Sequence, residues 1–235
     1  MKILLLFALF NMPAYALVVP NPMLPESLAE QKRGNEFLKI IWNTQSVVAD
    51  VETQVYLKKL GHELSAYSEN PSKHFDFFML DDGSINAFAG SYGYIGVHTG
   101  MLLSSDSESE LAGVLSHEMS HVTQNHLTRF SEKTDKQQYL IAAGMLAAVL
   151  VDNSEASQAI ATSTVAGTAQ QSINFTREHE WEADRIGTNM LSKSGFDPQG
   201  MAHFFKKLKD SSNAEEFLRS HPLSINRISD SMQRS

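Results

Sequence analysis

The sequence contains no cysteine. Disulfides, thiolate metal ligands and lipid attached through a cysteine are thereby excluded, so stability must come from a packed core, with nitrogen and oxygen donors the only metal ligands available. Positive charge is scarce: 19 Lys and Arg stand against 27 Asp and Glu, a formal charge of −8. Nucleic-acid recognition wants a clustered basic surface, and no nucleic-acid partner is expected. No apolar run reaches the roughly 20 residues of a membrane-spanning helix. Proline is sparse, and three of the seven crowd together at Pro20, Pro22 and Pro25.

What is present is an ordinary globular balance, 42% hydrophobic and 20% charged over 235 residues, enough for one domain with a sizeable core. The N-terminus "MKILLLFALFNMPAYA" has a basic residue at Lys2, an apolar stretch from Ile3 to Phe10 and an A-x-A site at Ala14-Tyr15-Ala16. It reads as a secretory signal cleaved after Ala16, too short to anchor. The expected organisation is a signal over 1–16, a stiff proline-rich leader over 17–26 and a single domain over 27–235, exported and soluble.

Helical patterns run over Ser27–Gln45 and Asp50–Ser68, the second with a stripe of Val51, Val55, Leu60 and Leu64. The period then changes. Aromatic and β-branched residues with turn signals at Asp82-Gly83 and Gly90 to Gly93 predict strands near Phe75–Leu80, Ile85–Ala89 and Tyr94–His98. The last, with Tyr94, Ile95, Gly96, Val97 and His98, is either an edge strand able to pair with an extended peptide or a member of an ordinary hairpin. Ser105 and Glu108 have capping-box spacing, opening a helix that should reach about Phe130. The apolar run Tyr139–Val151 reads first as a core helix and second as an interfacial or substrate-facing segment that touches a membrane peripherally. The small, polar stretch after it has the composition of a mobile segment. Thr176 then opens a helix that Gly195 closes, and Asp197-Pro198 begins the next.

Chemistry concentrates in "LSHEMSHVTQNH". On a helix His117 and His121, four apart, differ by only about 40° and can bind one ion together. Nine residues separate His126 from His117, about 900°, which puts it on the opposite face of a regular helix. In such an H-E-x-x-H helix Glu118 takes a proton from a water at the metal. Leu111, Val114, Leu115, Met119 and Val122 argue that the helix is half-buried. The metzincin extension is absent, since Gln124 and Leu127 stand where Gly and His would be. Downstream, "REHEWEADRIG" puts Glu180 and Asp184 on one face, either a metal carboxylate with an acid supporting a ligating histidine or a solvated acidic face. His62, His74, His98, His126, His179 and His203 are expected to be structural or surface residues.

"VLSHEMSHVTQNH", "EWEADRIG" and "SGFDPQGM" together resemble the zinc gluzincin peptidases that include HtpX and the CAAX-prenyl endopeptidases. The likeness extends to "VYLKKLGHEL", "SINAFAGSYGYIGVHTGML" and "SHPLSINRI", from about Asp50 to Ile228. It implies an α+β, mostly helical minigluzincin-like domain with a small antiparallel sheet against the active-site helix. It further implies one Zn²⁺ held by His117, His121 and Glu180, with Glu118 as general base, Asp184 in support, and weight for the edge-strand reading of Tyr94–His98. His221 matches a histidine able to take the fourth zinc position as a latch, and Arg227 matches the arginine of the same segment. The nearest group members carry a C-terminal tetratricopeptide domain, whereas this sequence stops at Ser235, so partner contacts of that domain are not expected here. The function so implied is a periplasmic zinc metalloendopeptidase acting on misfolded or misassembled envelope proteins, with the outer-membrane assembly machinery as a partner. The alternative is a zinc-stabilised, chaperone-like module with little proteolysis.

Overall fold

The computed structural model describes residues 26–136, 154–209 and 211–234. The signal, the leader up to residue 25 and the Tyr139–Val151 run lie outside the described residues. Helices α1 (Glu26–Thr44) and α2 (Val51–Ser65) come first, then strands β1 (Asp76–Leu80), β2 (Ala87–Ala89) and β3 (Tyr94–His98), with a 3-10 turn at Ser91–Gly93 between the last two. Helices α3 (Thr99–Ser104) and α4 (Glu108–Thr123) follow, then a helical stretch over 126–136 (α5). The chain ends with α6 (Ser154–Lys193), α7 (Gly200–Lys209), α8 (Glu215–Ser220) and α9 (Ile225–Arg234). The α+β expectation holds, but the sheet is mixed rather than antiparallel.

Its order is β1-β3-β2. β3 runs parallel to β1, with Phe77 beside Ile95 and Met79 beside Val97, and antiparallel to β2, with Ala87 beside Val97. Tyr94–His98 is therefore the central strand, buried along its whole length, and cannot be the edge that accepts a peptide. The edge is β2. The reversal happens in the 3-10 turn, where Tyr92 (φ 65°) and Gly93 (φ 77°) both adopt left-handed backbone before Gly90 N–H closes onto Tyr94 O at 2.7 Å. A Cβ on Gly93 would sit 1.8 Å from the carbonyl oxygen of His74, so sterics as well as φ demand glycine.

Every residue of α4 from Glu110 to Ser120 is buried, more than the half-burial that its apolar stripe suggested. It threads the core, with α2, β2, α6 and α7 against it. Two of its buried serines are satisfied within the helix: Ser120 Oγ donates to Ser116 O at 2.7 Å and Ser116 Oγ to Gly113 O at 2.9 Å. The cap is Ser107, whose hydroxyl accepts from Glu110 N, while the Glu110 carboxylate accepts from Asp106 N at 2.9 Å. This capping box lies two residues later than the one anticipated. In α2 the buried face is Leu57, Leu60, Gly61 and Leu64, while Val51 and Val55 are exposed.

α4 stops early. Asn125 takes φ 53°, a conformation asparagine tolerates better than most residues, and the helix restarts in a new direction as α5. The helix expected to open at Thr176 instead begins at Ser154, so the small, polar stretch from 154 is helical backbone rather than loop. It ends, as anticipated, before Gly195 (φ 87°).

The Gly93 constraint is testable. Gly93→Ala should cost roughly 2–3 kcal/mol, adding left-handed strain to a backbone clash. Urea unfolding checks this, and an unchanged midpoint would show that the turn relaxes freely.

Candidate metal centre

Glu180 and Asp184 are carried to α4 on the second long helix, α6. The two helices meet closely at Gly187, where a Cβ would lie 3.0 Å from His117 N. This approach brings one face of α6 against the H-E-x-x-H turn of α4. α8 then ends at His221, whose ring packs on Phe217 with centroids 4.7 Å apart.

Four side chains converge as a result: His117, His121, Glu180 and His221. His117 Nε2 lies 3.1 Å from His121 Nε2, 3.3 Å from His221 Nδ1 and 3.4 Å from Glu180 Oε2. Glu180 Oε1 lies 3.2 Å from His221 Nδ1 and 3.4 Å from His121 Nε2. Nitrogen and oxygen ligands around a tetrahedral Zn²⁺ stand roughly 3.3 Å apart, given metal–ligand bonds near 2.1 Å. The donor set and its spacing therefore fit zinc. Lone pairs packed this closely away from water repel unless positive charge joins them. Burial disfavours a charged His117, but the Asp184 and Glu180 carboxylates outweigh it and push the imidazole up to about 10. Burial likewise opposes ionisation of Glu180, yet His221 and His117 hold it well below the usual carboxylate range.

The residues around the cluster are equally ordered. Asp184 Oδ1 lies 3.0 Å from His117 Nδ1, the nitrogen turned away from the cluster. Arg227, only 2% exposed, grips Asp184 through Nε–Oδ2 at 2.6 Å and Nη2–Oδ1 at 2.8 Å. Its Nη1 reaches Glu180 Oε2 and Pro222 O, each at 2.9 Å. Glu118, 1% exposed, has its carboxyl raised by burial, and Ala89 of β2 donates a backbone N–H to it. Among the described residues its Oε1 has no hydrogen-bond donor, and it lies 3.4 Å from His221 Nε2.

The structure thus brings together His117, Glu118, His121, Glu180 and His221, with Asp184 and Arg227 directly behind them. Tyr94–His98 does not face a peptide, as the strand order requires. One histidine departs from its expected place. Because α4 breaks at Asn125, His126 is not on the far face; its Nδ1 meets His121 Nδ1 at 2.7 Å. His179 stacks on His126, centroids 4.1 Å apart and planes 7° from parallel. The available signal was Asn125, a residue able to end a helix between His121 and His126.

Fold and site together have the pattern of the H-E-x-x-H metallopeptidases, with a glutamate from a later helix among the side chains that could hold a metal ion. The profile of peptidase family M48 matches residues 52–234, and the chain belongs to that family. Its sequence is 37% identical over 212 residues to the beta-barrel assembly-enhancing protease of Escherichia coli K12, covering 88% of this chain and 44% of that protein. The beta-barrel assembly-enhancing protease of Yersinia pestis gives the same identity and coverage. Metalloprotease YcaL of Escherichia coli K12 is 30% identical over 174 residues, 72% of this chain and 63% of that protein. The chain spans less than half the length of the assembly-enhancing proteases it matches.

Arg227 is the cation that lets two carboxylates share this core. Arg227→Leu should destabilise the fold by about 3–5 kcal/mol, the cost of leaving a buried charge unpaired. Arg227→Lys should recover only part, because an ammonium cannot reproduce the two-pronged grip. Denaturant midpoints of the three proteins decide it, and a Leu variant as stable as the parent would refute it.

Proposed function

We propose that this chain is a zinc metalloendopeptidase in which His117, His121 and Glu180 hold the metal and Glu118 is the general base. The observation that carries the reading is Glu118 itself, a desolvated carboxylate with an undonated oxygen beside four converging metal donors. Zinc, when bound, polarises a peptide carbonyl and acidifies water. Glu118 then accepts the proton of the attacking water and passes it to the leaving amine, a task suited to a carboxyl raised by burial. Asp184 orients His117 and is itself held by Arg227.

A peptide has a place to lie. β2 stands at one end of the sheet, where an extended peptide would add as a further strand, and the Ala89 N–H of β2 donates to Glu118. Beyond it a cleft runs beside His121, lined by Arg33 of α1, Ser91 and Tyr92 of the turn, and Asn125 and Leu127 past α4. α1 lies outside the family match and supplies one wall of this cleft.

His221 sits where the fourth ligand would, so we read it as a latch that must leave before substrate binds. Relatives named beta-barrel assembly-enhancing proteases support a role in β-barrel assembly; we extend this to misfolded or misassembled envelope proteins as substrates, with the signal-like N-terminus delivering the chain to the periplasm. Among the described residues no helix is long and apolar enough to cross a membrane.

The four protein donors also favour a second reading, a closed structural zinc in a chaperone-like module. One experiment separates the two: zinc stoichiometry and casein cleavage measured on the same preparations. Glu118→Gln should keep one zinc per chain and lose cleavage by at least about a hundredfold. His221→Ala should keep zinc and cleave faster than the parent. Cleavage by Glu118→Gln at the parent rate would sink the protease reading, and slower cleavage by His221→Ala would make His221 a helper rather than a latch.

A further inference from the structure

The two histidines of the H-E-x-x-H turn are supported differently. His117 has a carboxylate directly behind it, Asp184 Oδ1 at 3.0 Å from Nδ1. His121 has no carboxylate there; its Nδ1 meets His126 Nδ1 at 2.7 Å, and His126 Nε2 meets Glu182 Oε2 at 3.0 Å. Glu182 is fixed in turn by Arg129 Nη1 at 2.8 Å. We infer that His126 is a positioning residue for the metal site, an imidazole relay through which Glu182 orients the ligand His121.

Proton counting supports the relay. With Nε2 of His121 facing the other donors, its proton resides on Nδ1 and must be donated outward. The only hydrogen bond described for that nitrogen runs to His126 Nδ1, which accepts only if the His126 proton is on Nε2. That proton is then given to Glu182. One direction of donation satisfies every atom, from His121 to His126 to Glu182, and it locks the tautomer in which His121 presents its lone pair inward.

The relay is rigidly housed. His126 is 3% exposed, and His179 covers one face of its ring in parallel stacking. Its parts come from three elements: His121 from α4, His126 and Arg129 from α5, and His179 and Glu182 from α6. The α4 break at Asn125 creates the arrangement, because a continuous helix would turn His126 away. Glu182 follows Glu180 by two positions, so a single turn of α6 contributes to the metal group and to the relay.

The inference rests on His117, His121 and Glu180 being the zinc ligands, and its test reads metal rather than proteolysis. Zinc-loaded parent, His126→Leu, His126→Gln and Glu182→Gln proteins are mixed with excess chelator and the release rate is followed, with circular dichroism as a check on folding. Loss of support behind a ligating histidine costs about ten- to a hundredfold in metal affinity. His126→Leu should therefore release zinc about ten- to a hundredfold faster. His126→Gln, whose side-chain carbonyl can still accept from His121 Nδ1, should recover most of that loss. Glu182→Gln, which keeps an acceptor and removes the charge, should fall between. In cobalt-substituted protein the ligand-field bands should move in His126→Leu and return towards the parent in His126→Gln, a rescue that mere packing would not produce. Parent-like release and spectra in a folded His126→Leu protein would overturn the inference. If that variant does not fold, parent-like release in Glu182→Gln overturns it instead. A parent chain that binds no zinc overturns the ligand assignment itself, and the relay with it.

Discussion

Four lone-pair donors held within 3.4 Å of their neighbours, in a core with little water to screen them, are the constraint around which this molecule is built. Such a group is costly in the interior unless cations join it and the surrounding carboxylates have their own partners. Arg227 answers the second need by gripping Asp184 and reaching Glu180. The close helix contact at Gly187 follows from the same demand, since a side chain there would force α6 off α4. Burial of almost the whole of α4 is the scaffold's contribution: Leu111, Leu115 and Met119 have no freedom to let the metal-binding turn drift.

Much of this is visible in the chain before folding. The i, i+4 spacing of His117 and His121 on α4, and of Glu180 and Asp184 on α6, says which side chains of each helix share a face. The long-range partners are a different matter. Nothing about periodicity places His221 and Arg227 beside α4; only the likeness of the whole motif set did. Neither could spacing reveal that the two carboxylates of α6 have separate tasks, one facing the donors and the other lying behind His117.

Two failures of sequence reasoning have the same root: each extends a local rule through a residue that breaks it. Treating His126 as nine positions along one helix ignores Asn125, whose left-handed backbone redirects the chain and places the ring beside His121. Assigning the edge to Tyr94–His98 assumes that strand order follows chain order, whereas the left-handed pair Tyr92-Gly93 folds β3 back between its two predecessors. The length of α6 fails for another reason. Its first half mixes Ala and Gln, good helix formers, with Ser, Thr and Gly, poor ones, and composition alone does not show that the backbone continues through them.

The position of His221 joins metal access to base access. Its Nδ1 completes the donor group, while its Nε2 lies 3.4 Å from the undonated oxygen of Glu118. On the proposed reading, one displacement of this side chain would open a coordination position and uncover the proton acceptor together. The segment is tethered on both sides. Before it, Asn213 Nδ2 donates to Gly83 O at 2.8 Å and Ser84 Oγ to Glu216 Oε2 at 3.4 Å; after it, Pro222 O accepts from Arg227. With those ties intact, opening is confined to rotation of the ring and the few residues around it. The Arg227 that neutralises Asp184 and Glu180 also holds Pro222, the residue after His221, so the electrostatics that make the core tolerable also restrain the segment that carries His221.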